Sequence, residues 1–371
     1  MSTEAAPVSV QWIESQSVVS MHRIIEDQAE LLEAITGLRE RVDRRLTGPP
    51  TVLFLGRTDT GGFEVELAFP VPEGTTVEEM MPRLLPADYV FSAIHRGPYV
   101  KTESADGLRE AAQRVGEWIQ THGLLAGDNP TRYVYVEGPE AHGTDTDRYV
   151  TEIQISYHWP VWLDSLRRGI SDHAGAEVAA AATQDGEALL DTFEADRIRS
   201  WVLRAIDRLD QAIPDDEDRA CILQDCAHRY PRVHLDRMRR VYEEIGDLRR
   251  FIQRLSKDKK LFPGRLWLDE TGETPLIYIE RSVPPWWNRE AYDKATDPVE
   301  KRYHACFCSM VREAILTREP VSPSFCNCSS GWFVQMWEAI LDRRLRIDLV
   351  ESVLQGDDRC LFAVHLPEKS L

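Results

Sequence analysis

Five cysteines late in the chain have the clearest chemical potential in the sequence. Cys306 and Cys308 form one C-x-C pair, Cys326 and Cys328 form a second, and Cys360 follows. Thiolates are soft ligands that suit Zn²⁺ or an iron–sulfur cluster, and four of them complete a tetrahedral site. The pattern predicts a zinc or iron–sulfur site, provided that each pair lies in a turn. Redox-active thiols and plain buried cysteines are the alternatives.

A second candidate for chemistry is Glu152, which interrupts an otherwise apolar predicted strand. The preceding predicted strand carries Tyr133 and Tyr135, which share one face because side chains alternate along a strand. A carboxylate walled by aromatic rings attracts organic cations through its charge and through the ring faces. Removing water from the same carboxylate prepares it to act as a general base. Ligand binding and hydrolysis therefore both stay open, and in the hydrolytic alternative Glu152 activates water while Tyr135 donates a proton.

Four further residues are candidate ligand contacts in the same part of the chain. Three are aromatic residues of the second copy: Tyr99, Trp118 and Phe91. The fourth is Glu66, an acidic residue at the position that matches Glu152 in an internal repeat. The repeat is visible where Glu66–Phe69 corresponds to Glu152–Ile155. We expect the two copies to enclose a groove.

The elements that must position these residues form a duplicated strand–helix–strand unit of the SHS2 type. The first copy has predicted strands and a helix in the order Val8–Ile13, Ile24–Val42 (helix), Thr51–Leu55 and Phe63–Val71. The second copy has them in the order Tyr89–Arg96, Ser104–His122 (helix), Thr131–Glu137 and Tyr149–Tyr157. Two such units side by side predict a curved antiparallel sheet with both helices on one face.

The rest of the chain has a different composition and a different pattern of apolar residues. Residues 163–188 are rich in Ala, Gly, Asp and Ser and are interpreted as a linker between a domain at 1–162 and a domain at 189–371. Apolar stripes with helical spacing predict a helix-rich second domain. Two hairpins are predicted there, one at 265–280 and one at 345–366. The fold class is therefore α+β, with the cysteines in the second domain.

Composition excludes several classes of function. The 371 residues include 62 acidic and 44 basic side chains, a net charge of −18, and no apolar run long enough to cross a bilayer. Because DNA phosphates require an excess of positive charge, we expect no direct nucleic-acid contact and no membrane contact. The acidic first residues lack the apolar core of a signal peptide, so the expected location is the cytoplasm. A homodimer stays open.

The first 160 residues resemble the GyrI-like family, the effector-binding domains also attached to AraC-type and MerR-type regulators. The resemblance is carried by His95–Tyr99, by the helix with Trp118-Ile119, by Arg132–Tyr135 and by Thr151-Glu152-Ile153. It implies a pseudo-twofold domain that binds small aromatic or cationic molecules in a central groove lined by the matching Glu152. Some stand-alone members are similar to hydrolases of cyclopropane-bearing compounds.

The C-terminal half resembles, more distantly, cysteine-rich proteins related to 2-amino-thiazoline-4-carboxylate hydrolases and to 4-vinyl-reductase-like domains. Cys306–Arg312, Ser322–Trp332 and Glu351–Phe362 carry the likeness. In the vinyl-reductase-like ending, the residue that matches Cys360 can be a zinc ligand.

The sequence therefore predicts a small-molecule-binding protein with a groove centred on Glu152, and a sensor role stays open. The two alternatives are a hydrolase of reactive cyclic molecules and a metal-dependent or thiol-dependent sensor that works through the second domain.

Overall fold

The chain folds into two compact units in a computed structural model. The structure describes residues 7–58, 61–102, 105–281 and 288–367. The first unit comprises the residues up to Pro160 together with a short later segment, Leu190–Phe193. The second unit comprises Val161–Leu189 and the residues from Glu194 onward.

A single antiparallel sheet forms the frame of the first unit. Among the described residues it has eight strands: β1 Ser9–Ile13, β2 Gln16–Ile25, β3 Thr51–Arg57, β4 Phe63–Pro70, β5 Met81–Leu85, β6 Asp88–Arg96, β7 Thr131–Glu137 and β8 Val150–Ser156. Their order in the sheet is β1-β6-β8-β7-β3-β4-β2-β5. Strands β7 and β3 therefore lie at the centre, and each half of the sheet repeats the other outward from that pair.

The register confirms the duplication. Thr51 pairs with Val134 and Leu53 pairs with Arg132 across the central strands. A twofold rotation that exchanges β3 with β7 moves Leu53 onto Val134 and Thr51 onto Arg132. It therefore places the pair Thr51–Val134 on the pair Leu53–Arg132. The same operation relates β4 to β8, and it makes Glu66 the counterpart of Glu152.

Two helices cover one face of this sheet. Helix α1 (Gln28–Val42) packs the buried side chains of Ile35 and Leu38 against Val52 and Leu67. Helix α2 (Leu108–Thr121) buries Leu108, Ala111, Val115 and Ile119 on one side. This side of the sheet is called the helix face below, and the opposite side, which carries Glu152, is called the Glu152 face.

One part of the first copy differs from the prediction. Ile24 and Ile25, predicted to begin the first helix, are the last residues of β2, and α1 begins only at Gln28. Strand β2 is the true counterpart of β6, whereas β1 pairs with β6 at the far edge of the second copy. The apolar spacing at residues 24–32 fits both a strand end and a helix start, so periodicity alone could not place this boundary.

The predicted linker at 163–188 is largely helical. It lies in helix α4 (His158–Ala174) and helix α5 (Ala176–Ala182), and the side chains of Leu163, Leu166 and Ile170 are fully buried. Alanine is the strongest helix former, so a run of Ala with small polar residues suits a packed helix as well as a linker.

The second unit combines helices with a small sheet. Its further helices, after the four-residue α3 (Pro139–His142) of the first unit, are α6 Ala195–Ala212, α7 Asp216–Gln224, α8 Arg232–Ile245, α9 Leu248–Lys257, α10 Arg289–Lys294, α11 Pro298–Ala305, α12 Glu313–Thr317 and α13 Asn327–Leu341. Its strands are β9 Arg265–Asp269, β10 Leu276–Arg281, β11 Ile347–Glu351 and β12 Cys360–His365, in the order β11-β12-β10-β9. Both predicted hairpins are present as antiparallel pairs, and the predicted α+β class is confirmed.

Helices α7 and α13 approach each other at a glycine. A Cβ atom on Gly331 would meet the backbone oxygen of Gln224 and the Cβ of Ala227 well inside normal contact distance. The side chain of Gln224 donates hydrogen bonds to the Ser330 hydroxyl and to the backbone oxygen of Ile347. Gly331 therefore permits a contact that ties both helices to β11.

No helix in the described ranges is long and apolar enough to span a membrane.

Candidate functional site

Glu152 lies in the middle of β8 and is held by two hydrogen bonds on the Glu152 face. Its Oε1 accepts a hydrogen bond of 2.6 Å from the Ser92 hydroxyl and one of 2.8 Å from the Gln11 side-chain amide. Ser92 lies on β6 and Gln11 on β1, so three strands contribute to the site. Within the described ranges no basic side chain forms an ion pair with Glu152. The carboxylate is oriented by neutral donors and keeps its negative charge uncompensated.

The counterpart of Glu152 in the first copy has a different environment. The Arg83 guanidinium donates to both carboxylate oxygens of Glu66, at 2.9 and 2.7 Å. Arg83 belongs to β5, the edge strand that corresponds to β1. The equivalent edge positions therefore supply a cation to Glu66 and a neutral amide to Glu152.

Apolar side chains are exposed near both carboxylates. Ile94 pairs with Glu152 in the register of β6 and β8 and is 37% exposed. Leu55 and Val136 occupy bulges at equivalent positions in β3 and β7 and are 36% and 44% exposed. Strand pairing places Ile94 on the Glu152 face, whereas Leu55 and Val136 lie where the bulges interrupt the alternation of side chains. This face thus combines a free negative charge with water-exposed aliphatic surface.

The structure does not bring the predicted aromatic residues to Glu152. Tyr133 pairs with Ile153 and Tyr135 pairs with Thr151, so both rings point to the helix face while Glu152, between those two partners, points away. Tyr135 is buried in the core with α1, and Tyr133 packs against it. The predicted aromatic walls around Glu152 are therefore not the arrangement found, because the register of β7 against β8 assigns the tyrosines and the acid to opposite sides.

Phe91, Trp118 and Tyr99 also lie on the helix side. Phe91 packs against Tyr157 with ring centroids 4.5 Å apart and against Trp118 at 6.3 Å. Trp118 stacks on His122 at 4.0 Å. These contacts are packing within the unit, and among the predicted ligand contacts only Glu66 shares a face with Glu152.

Two of the predicted aromatic residues line a separate cavity of about 210 Å³ under α1. Tyr99 and Tyr135 form its floor, with ring centroids 5.1 Å apart in an edge-to-face arrangement. Arg39 and Glu140, 2.7 Å apart in an ion pair, also line it. The Tyr99 side chain is 4% exposed, and its hydroxyl forms no hydrogen bond of normal geometry in the described part of the chain.

Burial keeps these two phenols protonated. It raises the pKa of Tyr99, with a further contribution from the Glu140 charge, and it raises the pKa of Tyr135. Tyr135 faces away from Glu152, so the predicted hydrolytic pair of a Glu152 base and a Tyr135 acid is not assembled.

In the second unit, four of the five predicted cysteine ligands line one small cavity. Cys306 and Cys308 lie in the irregular segment between α11 and α12, Cys326 ends the 3-10 helix before α13, and Cys360 begins β12. The condition that each C-x-C pair lies in a turn is not met by the second pair, because Cys326 and Cys328 belong to helical segments. Burial raises the pKa of all four thiols.

The fifth predicted ligand, Cys328, is outside that lining. It belongs to the first turn of α13, and a hydrogen bond with Trp162 opposes the rise that burial imposes on its pKa. Among the described residues, no three of the cysteine sulfurs lie within 4.8 Å of one another. Cys221 and Cys226 lie away from the cavity, on α7 and just after it.

Sequence reasoning did not identify four residues that shape these sites: Ser92, Gln11, Arg281 and Arg312. Arg281 pairs with Cys360 in the register of β10 and β12 and lines the cysteine cavity. Single polar residues at these positions carry no motif. Strand pairing brings Ser92, Gln11 and Arg281 to the sites, whereas Arg312 lies at the start of α12.

Residues 49–158 match the family model of the GyrI-like small molecule binding domain. No curated protein matches the chain. Among solved structures, the EcmrR C-terminal domain is 22% identical, with 41% of this chain and 96% of that chain covered and a TM-score of 0.35. SAV2435 bound to tetraphenylphosphonium is 14% identical, with 41% and 93% covered and a TM-score of 0.30.

A hydrolase from Listeria innocua is 11% identical, with 42% of this chain and 93% of that chain covered and a TM-score of 0.30. The match to the family model extends from the loop before β3 through β8 and contains both central strands. The family model therefore matches this chain as a GyrI-like small molecule binding domain over residues 49–158, which is less than half of its length.

Proposed function

We propose that the first unit is a sensor domain that binds organic cations with an apolar body on its Glu152 face. The observation that carries the proposal is the Glu152 carboxylate, which is fixed by neutral donors and has no ionic partner within the described ranges. A positively charged ligand supplies the missing charge.

The two neutral hydrogen bonds support this role because they fix the direction of the carboxylate without cancelling its charge. Ser92 and Gln11 both donate to Oε1, which leaves Oε2 available to a ligand. An opposite charge about 4 Å away gains ~1 kcal/mol of Coulomb attraction in water and more at a partly buried site. A cation at that oxygen therefore binds with a more favourable free energy than a neutral molecule of equal shape.

The aliphatic surface around the carboxylate supports an apolar ligand body. Ile94 is the direct neighbour of Glu152 on that face, and Leu55 and Val136 are exposed at the bulges of β3 and β7. Covering such surface stabilises a complex by roughly 25 cal/mol for each Å² removed from water. A small hydrophilic cation such as ammonium lacks this contribution, so we expect discrimination in favour of lipophilic cations.

The test is a binding titration of the full chain with tetraphenylphosphonium, and with triphenylphosphine oxide as a neutral molecule of similar shape. We expect saturable binding of the cation by calorimetry. Glu152→Gln should weaken that binding about tenfold, which corresponds to ~1.4 kcal/mol. The neutral probe should bind weakly and equally to both proteins.

Glu66→Gln is the matched control, because it removes an equivalent carboxylate that Arg83 already neutralises. It should leave the affinity for the cation within about twofold, a change of ~0.4 kcal/mol. Equal losses in the two variants, or an unchanged affinity in Glu152→Gln, would contradict the proposal.

We further expect that the sensor does not bind nucleic acid directly. The net charge of −18 gives the chain no general attraction to phosphates. Fluorescence anisotropy with labelled duplex DNA at low salt should show no binding, with and without tetraphenylphosphonium. Saturable binding that weakens with added salt would show that this expectation is wrong.

A further inference from the structure

We propose that the second unit holds a single thiophilic metal ion of the zinc type, ligated by Cys306, Cys308, Cys326 and Cys360. The proposal is independent of the Glu152 site, since all four residues belong to the second unit. It rests on the convergence of the thiols, on the positive charges around them and on the size of the space they enclose.

The convergence is specific because the four thiols come from three separate segments, of which one contributes both Cys306 and Cys308. The chain between Cys308 and Cys326 forms α12 and a 3-10 turn, and α13 and β11 intervene before Cys360. All four side chains nevertheless line the same cavity. Cysteines buried only as small apolar side chains have no reason to collect at one void, whereas four sulfurs around one point match a tetrahedral site.

Two guanidinium groups near the thiols carry positive charge without a carboxylate partner. Arg281 is enclosed by the rings of Phe307 and Phe333, at 4.6 and 5.1 Å from its Cζ. Arg312 stacks on Tyr303 at 5.2 Å, and its Nε is buried without a hydrogen-bond partner in the described part of the chain. No acidic side chain forms an ion pair with either guanidinium in that part of the chain.

These charges favour an anionic group at the cavity. Isolated buried cations are costly, and neutral thiols do not offset them. A divalent ion with four thiolates carries a net charge of −2, which the two arginines balance. Binding of the ion releases the four thiol protons to solvent, so charge and protons are both accounted for.

The size of the cavity favours one ion over a cluster of several. Its volume is about 20 Å³, close to the space that one water molecule needs. Tetrahedral zinc holds its sulfurs about 3.8 Å apart, as follows from a zinc–sulfur distance of ~2.3 Å. Since no three sulfurs all lie within 4.8 Å of one another among the described residues, the thiols must move closer together when the ion binds.

The experiment measures metal content and thiol protection in the full chain purified under reducing, oxygen-free conditions. We expect about one zinc per chain by mass spectrometry of the metals, as a closed four-thiolate site requires. Replacement by Co²⁺ should give the intense visible bands of a tetrahedral thiolate site.

Protection from alkylation locates the ligands without any mutation. Zinc should slow the reaction of iodoacetamide with Cys306, Cys308, Cys326 and Cys360 at least tenfold, measured peptide by peptide. Cys221, which lines a different cleft, is the internal control and should react equally with and without zinc.

Variants give the second readout. Cys360→Ser should lose the bound zinc, and Cys328→Ser, which changes a neighbouring thiol outside the lining, should keep it. Four results would each overturn the proposal: metal-free protein that takes up no zinc, iron with labile sulfide in place of zinc, zinc lost in Cys328→Ser but kept in Cys360→Ser, and equal alkylation of all the thiols in the presence of zinc.

Discussion

Glu152 and Glu66 occupy equivalent positions in the two copies of the sheet, yet Arg83 neutralises Glu66 while Gln11 leaves Glu152 charged. The difference arises at the two edge strands, because β5 supplies an arginine where β1 supplies a glutamine. The duplication thus offers two similar carboxylates, of which one is free to bind a cation.

Removing the arginine should create a second cation site. In Arg83→Gln, Glu66 loses its ionic partner and its environment approaches that of Glu152. We expect the number of tetraphenylphosphonium molecules bound per chain to rise from about one to about two. Calorimetric titration measures the stoichiometry. An unchanged stoichiometry, with the fold intact by circular dichroism, would argue against charge as the deciding difference.

The Tyr99 hydroxyl should contribute nothing to stability. It is buried in the cavity under α1 without a hydrogen bond of normal geometry, so Tyr99→Phe removes an unsatisfied polar group. We expect the free energy of unfolding to stay unchanged or to rise by about 1 kcal/mol.

Tyr149→Phe is the control for this substitution. Its ring packs against Tyr99 at 4.8 Å, but its hydroxyl donates a hydrogen bond to the backbone oxygen of Gly143. Loss of that bond should cost about 1 kcal/mol. Urea unfolding of the two variants measures the contrast, and a larger loss in Tyr99→Phe would reveal a partner for its hydroxyl.

The Glu351 carboxylate should stabilise the second unit in a manner that depends on pH. Arg359 donates two hydrogen bonds to it, at 2.7 and 2.9 Å, and these bonds lower the pKa of Glu351. A lowered pKa in the folded state means that the stabilisation is complete above the ordinary pKa of glutamate, about 4.3, and is lost as the pH falls through the lower folded value.

Denaturation of the wild type and Glu351→Gln at pH 7 and at about pH 3 tests this linkage. The variant should be less stable at pH 7, and the difference should shrink at the acidic pH. Glu177→Gln, which alters an exposed residue of α5, should show no difference at either pH. A difference for Glu351→Gln that is independent of pH would show that the carboxylate acts through packing alone.

Gly331 should be intolerant of any side chain. In Gly331→Ala the new Cβ would collide with the backbone of Gln224, so α7 and α13 must separate and the buried Gln224 hydrogen bonds weaken. We expect a loss of about 3 kcal/mol or more in unfolding free energy.

Gly37→Ala provides the opposite case within α1. Nothing lies within 4 Å of a Cβ at this exposed helical position. Alanine should therefore stabilise the protein by about 0.5–1 kcal/mol, because it restricts the unfolded chain and favours the helix. Thermal and urea unfolding of both variants provide the comparison, and equal effects would contradict the close contact of α7 and α13.

Local patterns were sufficient to predict most strands of the second copy and both hairpins of the second unit. Alternating apolar residues in Thr131–Glu137 and Tyr149–Tyr157, and turn residues at 269–273, determine these elements over short distances. The residue types of the candidate sites were also readable, because C-x-C pairs and a carboxylate in an apolar strand stand out.

The faces of the sheet were not predictable in the same way. Whether Tyr133 and Tyr135 point toward Glu152 depends on the register of β7 against β8, and a shift of one residue reverses the answer. The bulges at Leu55 and Val136, and the contact of Gln11 with Glu152 across 141 positions of sequence, arise from long-range pairing that no local pattern contains.

The pairing of β1 with β6 has a consequence for how the first unit is made. Residues 9–13 are synthesised before their partner strand, which ends at Arg96, and Glu152 follows later still. The native partner of β1 is therefore absent until most of the unit has been synthesised. The Glu152 site is completed last, when the amide of Gln11 on β1 reaches the carboxylate on β8.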